Sequence, residues 1–131
     1  MKIFHLSNSD ISGGAARAAS RIHKALLKKG IKSQMLVNKK ISKDENVLGP
    51  NNFIEKKLVD LRPYISNLII KFLKIHKDIP YSISLFPSPW IDRINKSDAD
   101  LIHLHWVQHE MLSIADIVKI KKPIVWTLHD M

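Results

Sequence analysis

The first 37 residues constrain the fold more than any other stretch. "KIFHLS", Lys2 to Ser7, is short, apolar and rich in strand formers, and it runs into the polar, glycine-bearing turn "NSDISGG". Beyond Gly14 the period changes: Ala15, Ala18, Ala19, Ile22 and Leu26 share one helical face, with Arg17, Ser20, Arg21, Lys24 and Lys28 on the other. Lys28 and Lys29 fall in the last turn, where a cation suits the helix dipole, and Gly30 is placed as the C-terminal cap. "KSQMLV", Lys32 to Val37, then reads as a second strand. Strand, glycine loop, helix and strand make a βαβ unit with a right-handed crossover, which commits the chain to a parallel sheet.

Asn38 to Asn52 reads as polar loop, and Phe53 to Leu61 as a short helix ended by Pro63. From Tyr64 a second, basic amphipathic helix is expected. Its apolar face carries Ile65, Leu68, Ile69, Phe72 and His76, opposite Ser66, Asn67, Lys71, Lys74 and Lys77. Packing on the sheet is its first reading; a membrane surface or a partner is the other. Ser88 is expected as N-cap and Pro89 as first helical residue of "PWIDRIN". Asp100 to His105 follows as a third strand, Met111 to Lys121 as a helix, and Pro123 to Leu128 as a fourth strand. Near-continuous hydrophobicity in the last two strands fits parallel strands covered on both faces. The expected class is α/β: a Rossmann-like parallel sheet with helices on both faces, one core in 131 residues. The chain stops at "TLHDM", directly after a strand, so we expect the N-terminal part of a longer protein or a truncated copy of one.

With 21 Lys+Arg against 12 Asp+Glu the formal charge is +9. The cations come as scattered doublets such as Lys28-Lys29, Lys39-Lys40, Lys56-Lys57 and Lys121-Lys122, which read first as solvated surface and next as attraction to anionic lipid or phosphorylated ligands. Nucleic acid is disfavoured because aromatic residues are not interleaved with the basic ones. There is no cysteine, which excludes disulfides and thiolate metal sites. The N-terminus lacks the apolar core of a signal peptide, and no run approaches the ~20 apolar residues of a membrane span, so a cytoplasmic protein is the default expectation.

Ligands of open parallel sheets bind outside the carboxyl ends of the strands. Three features fall at that edge: Gly13-Gly14 after the first strand, His105-Trp106 after the third and His129-Asp130 after the fourth. A glycine pair at a helix N-terminus lets backbone N–H groups approach an anion, although such a pair also serves simply as a turn. His103 and His105 share one face of their strand, with Leu104 and Trp106 on the other. By position His103 is the deeper, structural histidine and His105, at the rim, the better ligand candidate. An H-x-H pair with a further His and Asp also has the ligand types of a zinc or binuclear hydrolase. Those hydrolases usually carry the pair on an early barrel strand, whereas this chain begins with a glycine-loop βαβ unit. No serine sits in a G-x-S-x-G elbow.

The segments "HLSNSDISGGAARAASRIHKALLKKGIKSQMLV", "SPWIDRINKSDADLIHLHW" and "KKPIVWTLHDM" together resemble the N-terminal domain of bacterial family 4 glycosyltransferases, of the kind that build exopolysaccharide, capsule or lipopolysaccharide sugars. The resemblance covers both ends of the chain and little of its middle. It implies a GT-B fold whose first domain mainly binds acceptor and whose second mainly binds a nucleotide-sugar donor, transferring sugar with retention and without a catalytic metal or other cofactor. It carries the donor diphosphate to Gly13 and Gly14, a cleft histidine to His129 followed by Asp130, and the acceptor side to His105 and Trp106. It further implies a glycan or lipid-linked acceptor at the cytoplasmic membrane face, met by the basic helix around Lys71 to Lys77. The family's donor domain, with its glutamate pair and diphosphate-holding basic residues, is not among these 131 residues, so this chain alone is expected not to turn over. A non-catalytic basic module that binds a membrane or an anionic partner is the alternative.

Overall fold

The computed structural model describes residues 1–73, 84 and 86–129. Five parallel strands form one sheet: β1 (Lys2–Ser9), β2 (Lys32–Lys39), β3 (Val47–Leu48), β4 (Leu101–Leu104) and β5 (Ile124–Trp126), in the order β3-β2-β1-β4-β5. The described helices are α1 (Gly14–Lys28), α2 (Phe53–Phe72), α3 (Trp90–Lys96) and α4 (Ile114–Val118). The expected α/β, Rossmann-like class is therefore what the chain adopts. Because β1 pairs with β2 on one side and β4 on the other, the strand order reverses beside β1.

Alternation along the strands gives the sheet two unlike faces. Phe4, Leu6, Leu36, Ile102 and Leu104 point to one side and pack with Trp90, Ile91 and Ile94 of α3 and with Val107, Met111, Leu112 and Ile120. This is the main core, in which each fully buried large side chain contributes about 1.5–3 kcal/mol. The other face is thinner: Ala19 of α1 meets Met35, Val37 and Val47, and the small alanine lets the helix lie close to β1 and β2. His5, His103 and His105 lie on that face as well, beside Ile3 and Ser7 of β1.

Several elements differ from the sequence expectation. The 38–52 loop contains β3, a two-residue strand held to Met35 and Leu36. The two expected helices around Pro63 are one, since α2 runs through the proline from an Asn52 cap whose side chain accepts the Glu55 N–H at 2.8 Å. A proline removes one i→i−4 bond, and twenty residues of helix tolerate that loss. Most of the apolar stripe of α2 does not pack on the sheet: Phe53, Ile54, Leu58, Leu61, Tyr64, Leu68 and Phe72 are exposed, and only Val59 and Ser66 are buried. His76, Lys74 and Lys77 lie outside the described residues. The last helix, expected from Met111, starts at Ile114, because Ser113 and Asp116 form a capping box and His109 and Glu110 before it have positive φ. Ser88 accepts the Trp90 N–H as expected, but Pro89 takes the cap position and α3 starts at Trp90. β5 is not covered on both faces: Ile124, Val125 and Trp126 are each more than a third exposed. Among the described residues no helix is long and apolar enough to cross a membrane.

Asp10, fully buried just beyond β1, clamps the loop after β2. Its carboxylate accepts the N–H of Ile41 at 3.0 Å and of Ser42 at 2.7 Å. Burial by itself would raise its pKa, but the hydrogen bonds from the Ser42 side chain and from the Ser42 and Ile41 backbone outweigh that and hold it below the usual carboxylate value. Asp10→Ala, which strands two backbone donors, is expected to cost about 1–3 kcal/mol in urea unfolding at pH 7. A depressed carboxylate stabilises above its unfolded pKa, so the gap between wild type and variant closes as pH falls below about 4.

Candidate functional site

The carboxyl ends of β1 and β2 and the segments after β4 and β5 open on one cleft of about 610 Å³, at the point where the strand order reverses. Ser7 and Asn8 come from β1, Asn38 and Lys39 from β2, and Val59 and Pro63 of α2 close one side. The floor is braced by hydrogen bonds: Trp90 Nε1 donates to Asn38 Oδ1 at 2.7 Å, Asn38 Nδ2 to Asn8 Oδ1 at 3.1 Å, and the Asn8 N–H to the Trp106 carbonyl at 2.9 Å.

Gly13 and Gly14 line this cleft at the start of α1. Gly13 sits at φ 92, a conformation that L side chains rarely adopt, and supplies no side-chain cap. The first N–H groups of α1 are thus left to a ligand or solvent, at the positive end of the helix dipole. A Cβ at Gly14 would meet nothing within 4 Å. Trp106 reaches the cleft half-buried, its ring centroid 4.7 Å from that of His109, which also lines it. His129, after β5, lines the cleft as well. Asp130 lies outside the described residues.

His105, expected at the acceptor side, is not among the residues that line the cleft. The strand ladder continues past Leu104 through the His105 N–H, which donates to the Leu6 carbonyl at 2.9 Å, so the His105 ring is turned into the sheet face and is 2% exposed. Its Nδ1 stands 3.1 Å from His129 Nε2, one ring behind the cleft. The expected order of depth is also reversed: His103 is half-buried and His105 buried, because α1 lies over β1 and β2 while His129 covers His105.

Behind the cleft the parallel register sets His5 beside His103, and His105 follows two residues along the same face. His5 Nδ1 is 3.0 Å from His105 Nε2, and His103 Nε2 is 2.8 Å from Thr127 Oγ1. A file of imidazoles, His5 to His105 to His129, therefore leads from the sheet to the cleft. Burial, reinforced by the neighbouring imidazoles, pushes His5 and His105 down to about 3. His103 is lowered by burial and by His129. His23 of α1 is lowered by burial, partly opposed by Asp44, and meets Ser33 Oγ at 2.7 Å. These rings are neutral at pH 7, each able to donate at one nitrogen and accept at the other.

His5 was invisible as a site residue in the sequence, where it reads as one position of a strand; only the pairing of β1 with β4 brings it to "HLH". Asn8 and Asn38 were missed for the same reason. Chemically the cleft presents backbone donors for an anion, an indole face and an oriented imidazole. It also holds the buried Ser7 hydroxyl, which has no hydrogen-bond partner among the described residues.

No protein-family model, curated protein or solved structure matches the chain.

Two outcomes follow from this geometry. Gly13→Ala is expected to lose about 1–3 kcal/mol of stability to backbone strain. Gly14→Ala, with helical backbone and open space around it, should stay within about 0.5 kcal/mol, both read from urea midpoints. Because His5 and His105 titrate lower in the folded than in the unfolded chain, their stabilising effect is complete above about pH 6.5 and is lost as pH falls towards 3. Unfolding free energy measured in chelator should therefore fall by about 1.4 kcal/mol per pH unit per imidazole below pH 6. His5→Gln should flatten that slope.

Proposed function

We propose that this chain is the acceptor-side domain of a retaining, metal-independent glycosyltransferase that moves a sugar from a nucleotide-sugar donor to a cell-surface glycan or lipid-linked acceptor. The observation that carries the reading is the meeting of Gly13, Gly14, Trp106 and His129 in one cleft, from three separate chain segments. The resemblance selects four of its six site residues from among those that line the cleft. The cleft also lies in the ~300–1,000 Å³ range of small-molecule sites.

The roles follow from the chemistry of each group. A leaving diphosphate gathers negative charge, and the N–H dipoles at the start of α1 stabilise it without having to reorganise. Trp106 offers a flat apolar face to a sugar ring. His129, held through Nε2 by His105, turns its other nitrogen to a sugar hydroxyl. Neither Asp130 nor a donor-binding domain enters this account, and residues 1–131 alone are expected not to turn over.

Contact with an anionic membrane fits the same reading. The exposed stripe of α2, from Phe53 to Phe72, is accompanied by cations, with Lys57 Nζ 4.6 Å from the Phe53 ring centroid and Lys71 beside Phe72, as in a helix that lies in a lipid interface.

The test of function is sugar transfer from a panel of nucleotide sugars by a form extended through a second α/β domain, compared with residues 1–131. Transfer in the long form, reduced by about a hundredfold or more in His129→Ala and absent from the short form, supports the proposal; a long form silent with every donor overturns it. For the membrane contact, residues 1–131 should pellet with anionic vesicles at low salt. Leu61→Ser with Leu68→Ser, both on exposed positions, should abolish pelleting without changing the circular dichroism spectrum.

A further inference from the structure

We infer that His5, His103 and His105 form a binding site for a late first-row divalent metal ion, zinc foremost, in the face of the sheet behind the cleft. One ring nitrogen from each of the three lies within 4.8 Å of the others. Nitrogens that share a zinc ion at ~2.0 Å stand about 3.3 Å apart, so the rings need to close by at most about 1.5 Å. The His103 and His105 ring centroids are already 4.1 Å apart, and His5 is 5.1 and 5.3 Å from them.

Three features favour an ion. The ligands are carried by two directly paired strands in fixed register, so the site is built on rigid elements rather than on a loop. His5 is fully buried, and its Nδ1 stands 3.0 Å from His105 Nε2, close to the ~3.3 Å that two nitrogens keep on one zinc ion. The outward nitrogens of the other two rings are oriented as those of metal-bound histidines are: His103 Nε2 by Thr127 Oγ1 and His105 Nδ1 by His129 Nε2. The donor set is all imidazole, which suits zinc, cobalt, nickel or copper and not magnesium or calcium, whose ligands are oxygens.

The site does not rest on the glycosyltransferase reading and takes no part in its chemistry. Its effect is positional: a bound ion fixes His105 with Nδ1 protonated. That proton is donated to His129 Nε2, and His129 then carries its own proton on Nδ1. The metal would set which nitrogen the cleft histidine shows to a ligand.

The experiment uses the protein of residues 1–131, stripped with chelator and titrated with Zn²⁺ against a chromophoric competitor and with Co²⁺ by visible absorption. We expect one ion per chain, cobalt d–d bands that zinc displaces, and zinc-dependent shifts of the His5, His103 and His105 ring ¹⁵N signals in the wild-type protein. His5→Gln and His103→Gln should each weaken zinc by about a hundredfold, and His129→Ala by about tenfold as the loss of an outer partner. His109→Gln should leave the metal affinity unchanged. The proposal is overturned if the wild type takes up no ion at tens of micromolar metal, or if the three ring signals stay still while other histidines shift. Undiminished binding by a folded double variant, His5→Gln with His103→Gln, overturns it equally. The wild-type NMR arm decides the matter even where a variant fails to fold.

Discussion

Everything at the cleft depends on β1 being paired on both edges. Its register with β2 runs from Lys2 against Lys32 to Ser9 against Lys39, and its register with β4 sets Ile3 to Leu6 against Leu101 to Leu104. Parallel strands cannot be joined by a tight turn, so each partner arrives by a crossover: α1 leads from β1 to β2 on one side, and the chain after β3, with α2 and α3, leads back to β4 on the other. The gap between them at the carboxyl end is where the glycine loop, Trp106 and His129 converge. The hydrogen bonds from His105 N–H to Leu6 and from Asn8 N–H to Trp106 carry this pairing past the formal end of β4, up to the cleft floor.

The two faces of the sheet divide the work. One is a conventional apolar core of large side chains around α3, and it supplies most of the burial. The other is narrow and carries imidazoles where a core would normally place aliphatic side chains. Neutral imidazoles are poor substitutes for leucine as packing, since each brings two polar nitrogens that need partners. That substitution is intelligible when the partners are one another and the file of rings ends at a ligand cleft.

The chain's own pattern announced the fold well and the site only in outline. The βαβ unit, Gly30 at φ 74 beyond α1, the two late strands and the helices on both faces follow from periodicity and capping, which are local. Pro63 misled because a proline inside a long helix removes one bond without ending it. β3 was missed because two residues carry no period, and the exposed stripe on α2 because amphipathicity does not say what an apolar face will meet. Gly13, Gly14, Trp106 and His129 were legible from strand ends alone. His5 was not, since its meaning lies in a partner strand about a hundred residues away, and the burial of His105 beneath His129 depends on how β5 exits the sheet.

That separation has a consequence for how the molecule assembles. β1, α1 and β2 are contiguous and can form as soon as the first forty residues are available, whereas the pairing of His5 with His103 closes a loop of nearly a hundred residues. Contacts of such long range are slow to form, because chain entropy is lost before they contribute. The order of folding therefore runs from the glycine loop towards the histidines, and the cleft is completed last. A chain emerging from the ribosome would expose the polar face of β1, His5 included, until β4 arrives to cover its open edge.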